Sequence, residues 1–358
     1  MKSIIVILKE VKRMDKNRLW GEIGLWKNHI LHLRDSWYVR ENRPHPFWVM
    51  VQKEIRDHIL SWRFLIMLVL IVLTCMGSLY TSISSLPRTV KQNDPQATFF
   101  FLKLFTLSDG SLPPFHVFVG FLGPLLGIAL GFDAINSEQN RGTLSRIMAQ
   151  PVHRDYLINA KFVAALIVIS VLFLALGLLV MGLGMIIVGF PPTVEEFLRV
   201  IAFIVISIVY VAFWLNLSIL FSIRFRQAAT SALTSIAVWL FFTIFYQIII
   251  SLVAKAMMPG EGASEQEMIH FQNTMLNLLR LVPSQLFSDA TTTLLMPAVR
   301  SLGPLSMEQM YGAIPGPLPF TQSLLLVWPQ LTGLLSATVV CFALSYLLFM
   351  RKEIRSRE

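Results

Sequence analysis

The sequence predicts an all-α polytopic membrane protein with six transmembrane helices. Three observations carry that reading. Of 358 residues, 55% are hydrophobic and only 14% charged, against about 25% charged in soluble domains. Mean hydropathy is +0.64. Six segments approach the roughly 20 apolar residues that a spanning helix needs: 64–83, 115–132, 162–188, 200–223, 228–254 and 323–350, with no Asp, Glu, Lys or Arg in their middles.

The first region is 1–63. Its opening apolar run, "IIVIL", is closed by Lys9 and Glu10. It is shorter than the roughly 7–15 residues of a secretion signal, so no cleaved peptide is expected. Residues 46–62 predict an amphipathic elbow helix at the membrane interface. Phe47, Val51, Ile55, Ile59 and Trp62 share one face, and Lys53, Glu54 and Asp57 the other. Trp20, Trp26, Trp37, Trp48 and Trp62 crowd this region, and indole rings favour the interface. A soluble helical pack over the membrane face is the other reading.

In the second span, "GFLGPLLGIALGF" repeats Gly123, Gly127 and Gly131 every four residues. Such a stripe lets another backbone approach closely. It predicts a tight packing face within the chain or between two chains, with the second preferred. Pro124 is expected to kink the helix. Asn216 and Gln247, in the fourth and fifth spans, are read as buried amides bonding between helices.

Six spans put both termini on one side. Loops on that side carry 23 Lys and Arg, those on the other 7. The positive-inside rule therefore places both termini, the tail 351–358 and segment 133–161 in the cytoplasm. Segment 133–161 holds "RGTLSRIMAQPVHR". Gly142 breaks the preceding helix, and Thr143 can cap a new one. Leu144, Ile147 and Met148 share its apolar face, and Pro151 stops it. Arg146 and Arg154 flank it. A short apolar turn between charges suits a partner's groove; a cap tucked against the chain's own helices is the alternative.

On the opposite side, 255–322 predicts helices. "SEQEMIHFQNTMLNLLRLVP" opens with Ser264 and Glu267 at capping-box spacing. Met268, Phe271, Met275, Leu278 and Val282 form a stripe ended by Pro283. A second helix follows in "SQLFSDATTTLLMP". This region is a packed cap or a gate.

Several chemistries are excluded or weak. Ion-coupled transport usually needs charged residues inside the spans. The motif G-x-x-x-x-G-K-[ST] does not occur, so the chain has no usual means of cradling ATP phosphates. No nucleophile and base converge. His29 and His32 are a lone i,i+3 pair, weak as metal ligands. Cys75 and Cys341 each sit in an apolar run and read as buried thiols. The net charge of +9 follows loop placement, and no nucleic-acid partner is implied.

The segment "FDAINSEQNRGTLSRIMAQPVHRDYLINAKF" resembles the cytoplasmic segment after the second span of ABC-2 type transporter permeases, in the NosY-like branch. An acidic residue, Gly-Thr-Leu, a proline, an arginine and a lysine follow in order, at Glu138, Gly142, Thr143, Leu144, Pro151, Arg154 and Lys161. "LRLVPSQLFSDA" is similar to that family's external segment. The N-terminal 45 residues are longer than such permeases usually carry. The resemblance implies a coupling helix over 142–150, docking in a separate ATPase subunit, with Glu138 and Arg141 near the joint. It implies two ATPase copies and a second permease subunit, a homodimer in preference to a heterodimer. ATP and Mg2+ would sit in the ATPase, and this chain would bind no cofactor and catalyse nothing itself. A prokaryotic inner-membrane exporter in contact with lipid follows. The alternative is a non-transporting membrane module that couples an ATPase to an extracytoplasmic partner.

Overall fold

The computed structural model describes residues 45–90, 99–149, 153–260, 262–299, 302–303 and 316–352. Residues 1–44 and 353–358 lie outside these, as do Gln150, Pro151 and most of 300–315. The chain divides into two compact units, Met1–Val49 and Met50–Glu358. Of the first, only the residues opening helix α1 are described.

All regular elements among the described residues are helical. In chain order they are α1 Pro46–Ile59, α2 Trp62–Val90, α3 Phe100–Thr106, α4 Phe115–Gly131, α5 Asn136–Asn140, α6 Thr143–Met148, α7 Arg154–Val188, α8 Val194–Arg224, α9 Ala228–Leu240, α10 Tyr246–Ala256, α11 Glu265–Leu279, α12 Pro283–Leu295 and α13 Phe320–Arg351. A π-helical turn, Phe241–Phe245, joins α9 to α10 and completes the fifth span. Among the described residues, six helices are long and apolar enough to cross a membrane, and they coincide with the six predicted segments.

The core is built around α8, which packs on α4, α7, α12 and α13. Its apolar window is 61% buried, whereas that of the fifth span is 11% buried. The glycine stripe explains the closest of these contacts, and it corrects one expectation. The stripe faces α8 of the same chain, not a second chain. A Cβ on Gly127 would lie 2.7 Å from the Val211 carbonyl oxygen, and one on Gly131 2.8 Å from that of Leu215. Gly123 meets the Val211 side chain at 2.8 Å. Only hydrogen at these positions lets two backbones approach so closely. Asn216 is buried and its Nδ2 donates to the Thr338 carbonyl at 3.4 Å, tying α8 to α13. Gln247, in contrast, is exposed. It lies on the sparsely buried fifth span, where the neighbouring Tyr246 instead makes the bridge, donating to the Leu278 carbonyl at 2.7 Å.

The end of the bundle distant from α1 holds elements that periodicity did not reveal. Helix α3 has 7 residues, too few to cross a bilayer. Phe101, Leu102, Leu104 and Phe105 are nonetheless buried. The Phe101 amide donates to Glu196 Oε1 at 2.9 Å. Glu196 also closes a capping box with Thr193 at the start of α8. One turn on, Arg199 is fully buried. Its guanidinium donates to Glu195 Oε1 at 2.9 Å, Leu294 O at 3.0 Å, Ser323 Oγ at 3.1 Å and Leu318 O at 2.5 Å. One side chain thus fastens α8, α12 and the entry to α13.

The region 255–322 contains the two expected helices. Ser264 and Glu267 form the capping box of α11. Met275 and Val282, on the predicted stripe, are buried. Helix α12 wedges between α8 and α13, and Phe287 stacks on Tyr210 with ring centroids 4.4 Å apart.

Candidate functional site

At the α1 end of the bundle, the chain between α4 and α7 is held by a buried ionic cluster. Lys161, in the second turn of α7, has a side chain only 6% exposed. A lysine at the edge of an apolar run demands counter-charge. Lys161 Nζ reaches Glu54 Oε2 of α1 at 2.9 Å and Glu138 Oε1 of α5 at 3.5 Å. Lys53 adds a second cation, 3.0 Å from Glu54 and 3.7 Å from Glu138. Two cations and two carboxylates balance, joining α1, α5 and α7. Lys53 also pairs with Asp57 at 3.3 Å, one turn along α1.

The electrostatics follow from this geometry. Burial pushes the Glu54 carboxyl up, but Lys161 and Lys53 outweigh it and hold it below the ordinary carboxylate range. Burial pulls the Lys53 ammonium down, but Glu54, Glu138 and Asp57 outweigh it and raise it. His58, half-buried beside the cluster, is pulled down by burial, which favours its neutral ring.

Glu54 was expected on the polar face of α1, and it turns inward instead, while Lys53 and Asp57 of that face stay exposed. Val51 and Glu54 point inward, while Ile59 is 53% and Trp62 77% exposed. The need of Lys161 for a counter-ion draws Glu54 in. The missed signal was Lys161 itself.

Helix α6 begins at Gly142, whose φ of +68° places it in the left-handed region that glycine adopts freely. Thr143 was expected to cap α6. Instead its hydroxyl bonds the Glu138 carboxylate, and Gly142 occupies the cap position with no side chain to offer. Leu144 was expected on an exposed apolar face. It is 2% exposed and belongs to the core. Burial of an apolar side chain outweighs its exposure on so short a helix. Ile147 is half-buried, and Met148 ends the helix. The outward face is basic instead: Arg141, Gly142 and Arg146 are exposed. Pro151 lies outside the described residues.

Further bonds tie this segment to the rest of the bundle. The amides of Ile135 and Asn136, left over where α4 ends, both donate to Ser222 Oγ of α8, at 2.9 and 3.2 Å. Asn140 donates to the Arg226 carbonyl at 2.9 Å. Arg154 donates to the Phe349 carbonyl at 2.7 Å and lies 5.2 Å over that ring. Lys352 donates to Gln139 Oε1 at 2.9 Å and to Ile223 O at 2.6 Å. Ser222 and Lys352 had no signal in the sequence, because both act across long separations. Of the predicted residues, Glu138, Thr143 and Lys161 meet in one cluster. Arg154 anchors α7 to α13, and Arg141 and Arg146 face outward.

The chain between α4 and α7 is thus tied to α1 and α7 through the ionic cluster, and to α8 and α13 through Ser222 and Lys352. Among the described residues, no three His, Cys, Asp or Glu side chains converge as metal ligands.

No curated protein matches the chain significantly. The model of the ABC-2 family transporter proteins matches residues 48–354, from α1 to just past the end of α13. Membership implies an ABC ATPase as partner and a role as membrane permease component. On that match, with six apolar spans beneath it, the chain belongs to the ABC-2 family transporter proteins.

Proposed function

We propose that the chain is a permease of the NosY-like branch, working as an exporter in a prokaryotic inner membrane with both termini in the cytoplasm. Two permease copies pair, and two ATPase subunits dock beneath them. The ATPases hold ATP and Mg2+; this chain binds no cofactor and catalyses no reaction. Docking takes place on α6, through the cationic rim of Arg141 and Arg146, and acidic residues line the partner's groove. The observation that carries this reading is the buried Lys161–Glu54–Glu138 cluster, which makes α6 a lever fixed to several spans rather than a free loop. The sparsely buried fifth span supports pairing with a second copy.

A second reading has one observation in its favour. Helix α12 fills the end of the bundle distant from α1, with Phe287 stacked on Tyr210. A sealed end suits a module that transmits force to an extracytoplasmic partner without moving a substrate.

The test is purification of tagged protein in mild detergent, with identification of associated proteins. The unaltered chain should bring down an ATPase with Walker motifs, and the Arg141→Glu, Arg146→Glu pair should lose it while remaining inserted and monodisperse. ATPase retention by the charge-reversed pair refutes docking on α6.

A further inference from the structure

A cleft of about 190 Å3 lies between α4, the π-helical turn of the fifth span and α12. His116 and Phe121 line it from α4, Thr243 from the π turn, and Ser284, Phe287 and Ser288 from α12. Thr243 Oγ1 and Ser284 Oγ, on two of its walls, are buried with no hydrogen-bond partner among the described residues. Elsewhere in the spans Ser170, Ser207, Thr234 and Thr338 bond back to the carbonyl four residues earlier, while Ser78 and Ser231 share the unpaired state. A buried hydroxyl left unpaired is costly, and two in one cleft call for a group that supplies partners. Thr243 sits at the middle of the π turn, an irregularity that concentrates at functional sites.

The third polar group has a defined form. His116 Nδ1 lies 3.0 Å from the Phe105 carbonyl oxygen. That oxygen only accepts, so Nδ1 carries the proton, and when the ring is neutral Nε2 is an acceptor. The lining includes no Asp, Glu, Lys or Arg, so a charged group would enter uncompensated. Val117 and Phe121, also lining the cleft, are each 46% exposed and continue it with apolar surface. The volume is below the roughly 300–1,000 Å3 of a site enclosing a whole small molecule. It admits the head of a larger one.

We propose that this cleft binds the uncharged, hydroxyl- or amide-bearing head of an amphiphile. Thr243, Ser284 and His116 supply hydrogen bonds, and Phe121 and Phe287 flank the apolar part. The inference rests on the permease reading, since it makes the cleft the place where the carried molecule is held.

The test uses the full chain in phosphatidylcholine nanodiscs, with a 1-monoacylglycerol carrying a diazirine in its acyl chain as probe. Saturable photolabelling should map to peptides containing 116–121, 243 and 284–288. Thr243→Val with Ser284→Ala should weaken apparent affinity about tenfold, as loss of two ordinary hydrogen bonds predicts. Ser288→Trp, at an exposed rim position, should block labelling without removing a buried group. A fatty acid of equal chain length should compete about tenfold less well, because its carboxylate finds no cation. Unsaturable labelling spread over the lipid-facing surface overturns the proposal, as does affinity unchanged in both variants. Equal competition by the fatty acid overturns the uncharged class. ATPase association is read on the same samples: if it persists without saturable labelling, only the cleft is refuted, and if labelling persists without it, the permease reading falls instead.

Discussion

Replacing Lys161 with methionine tests whether the ionic cluster holds the α1 end of the bundle together. The side chains of Lys161, Glu54 and Glu138 are 6%, 9% and 15% exposed. Removing one member of a buried pair typically costs about 3–5 kcal/mol, because its partner keeps its charge without compensation. Lys53 remains 3.0 Å from Glu54 and 3.7 Å from Glu138, so the expected loss is at the lower end, about 3 kcal/mol. At about 2 °C per kcal/mol for a large domain, the melting temperature in detergent should fall by roughly 6 °C. Adding Glu54→Gln should restore part of that loss, since the uncompensated carboxylate goes with it. The effect should also depend on pH. The folded carboxyl of Glu54 lies below its ordinary value of 4.5. Its stabilising contribution is therefore complete above that value and is lost as pH falls through the lower, folded one. Melting temperature measured from pH 7 downward should decline in this acid range for the unaltered protein and decline less for Lys161→Met. Additive losses in the double variant, together with identical acid profiles, would refute the coupling.

Other perturbations separate the remaining contacts. Gly127→Leu should part α4 from α8, since even a Cβ would sit 2.7 Å from a backbone oxygen; a loss of at least about 1–3 kcal/mol is expected, seen as early unfolding and aggregation on gel filtration. Arg199→Lys should fail nearly as badly as Arg199→Met, because an ammonium cannot reach Glu195, Leu294, Leu318 and Ser323 together; faster proteolysis within 255–322 reports it. Leu144→Asp should destabilise the folded chain by about 2–5 kcal/mol, as burial of an unpaired polar group in a core site predicts, whereas Arg146→Glu should leave the melting temperature unchanged.

The spans were legible because hydropathy over about 20 residues is a strong and local signal. The α11 cap was legible for a similar reason: Ser264 and Glu267 are three residues apart and act on each other. Helix α3 was not, because seven residues with five apolar among them fit several structures equally well. Arg199 reads in the sequence as one more charge beside a span, since its partners Leu294, Leu318 and Ser323 lie about a hundred residues away. The glycine stripe announced a close contact but could not name its partner, for the same stripe serves one chain or two. In the candidate site, the residue types were readable and their directions were not. Leu144 turned inward and Glu54 with it, because each answers to a neighbour on another helix rather than to its own periodicity.

The glycine contact between α4 and α8 also has a consequence in time. Tyr210 and Ser218 of α8 bond to Gly120 and Ile128 of α4 across 90 positions of sequence. At roughly 5–20 residues per second of synthesis, about 5–18 seconds separate the emergence of the two helices. During that interval the small-residue groove of α4 stands open in the bilayer, before its own partner has been made. Translation speed therefore sets how long a neighbouring nascent chain has to occupy the groove first, and a slowed ribosome should yield more entangled oligomers from an unaltered sequence.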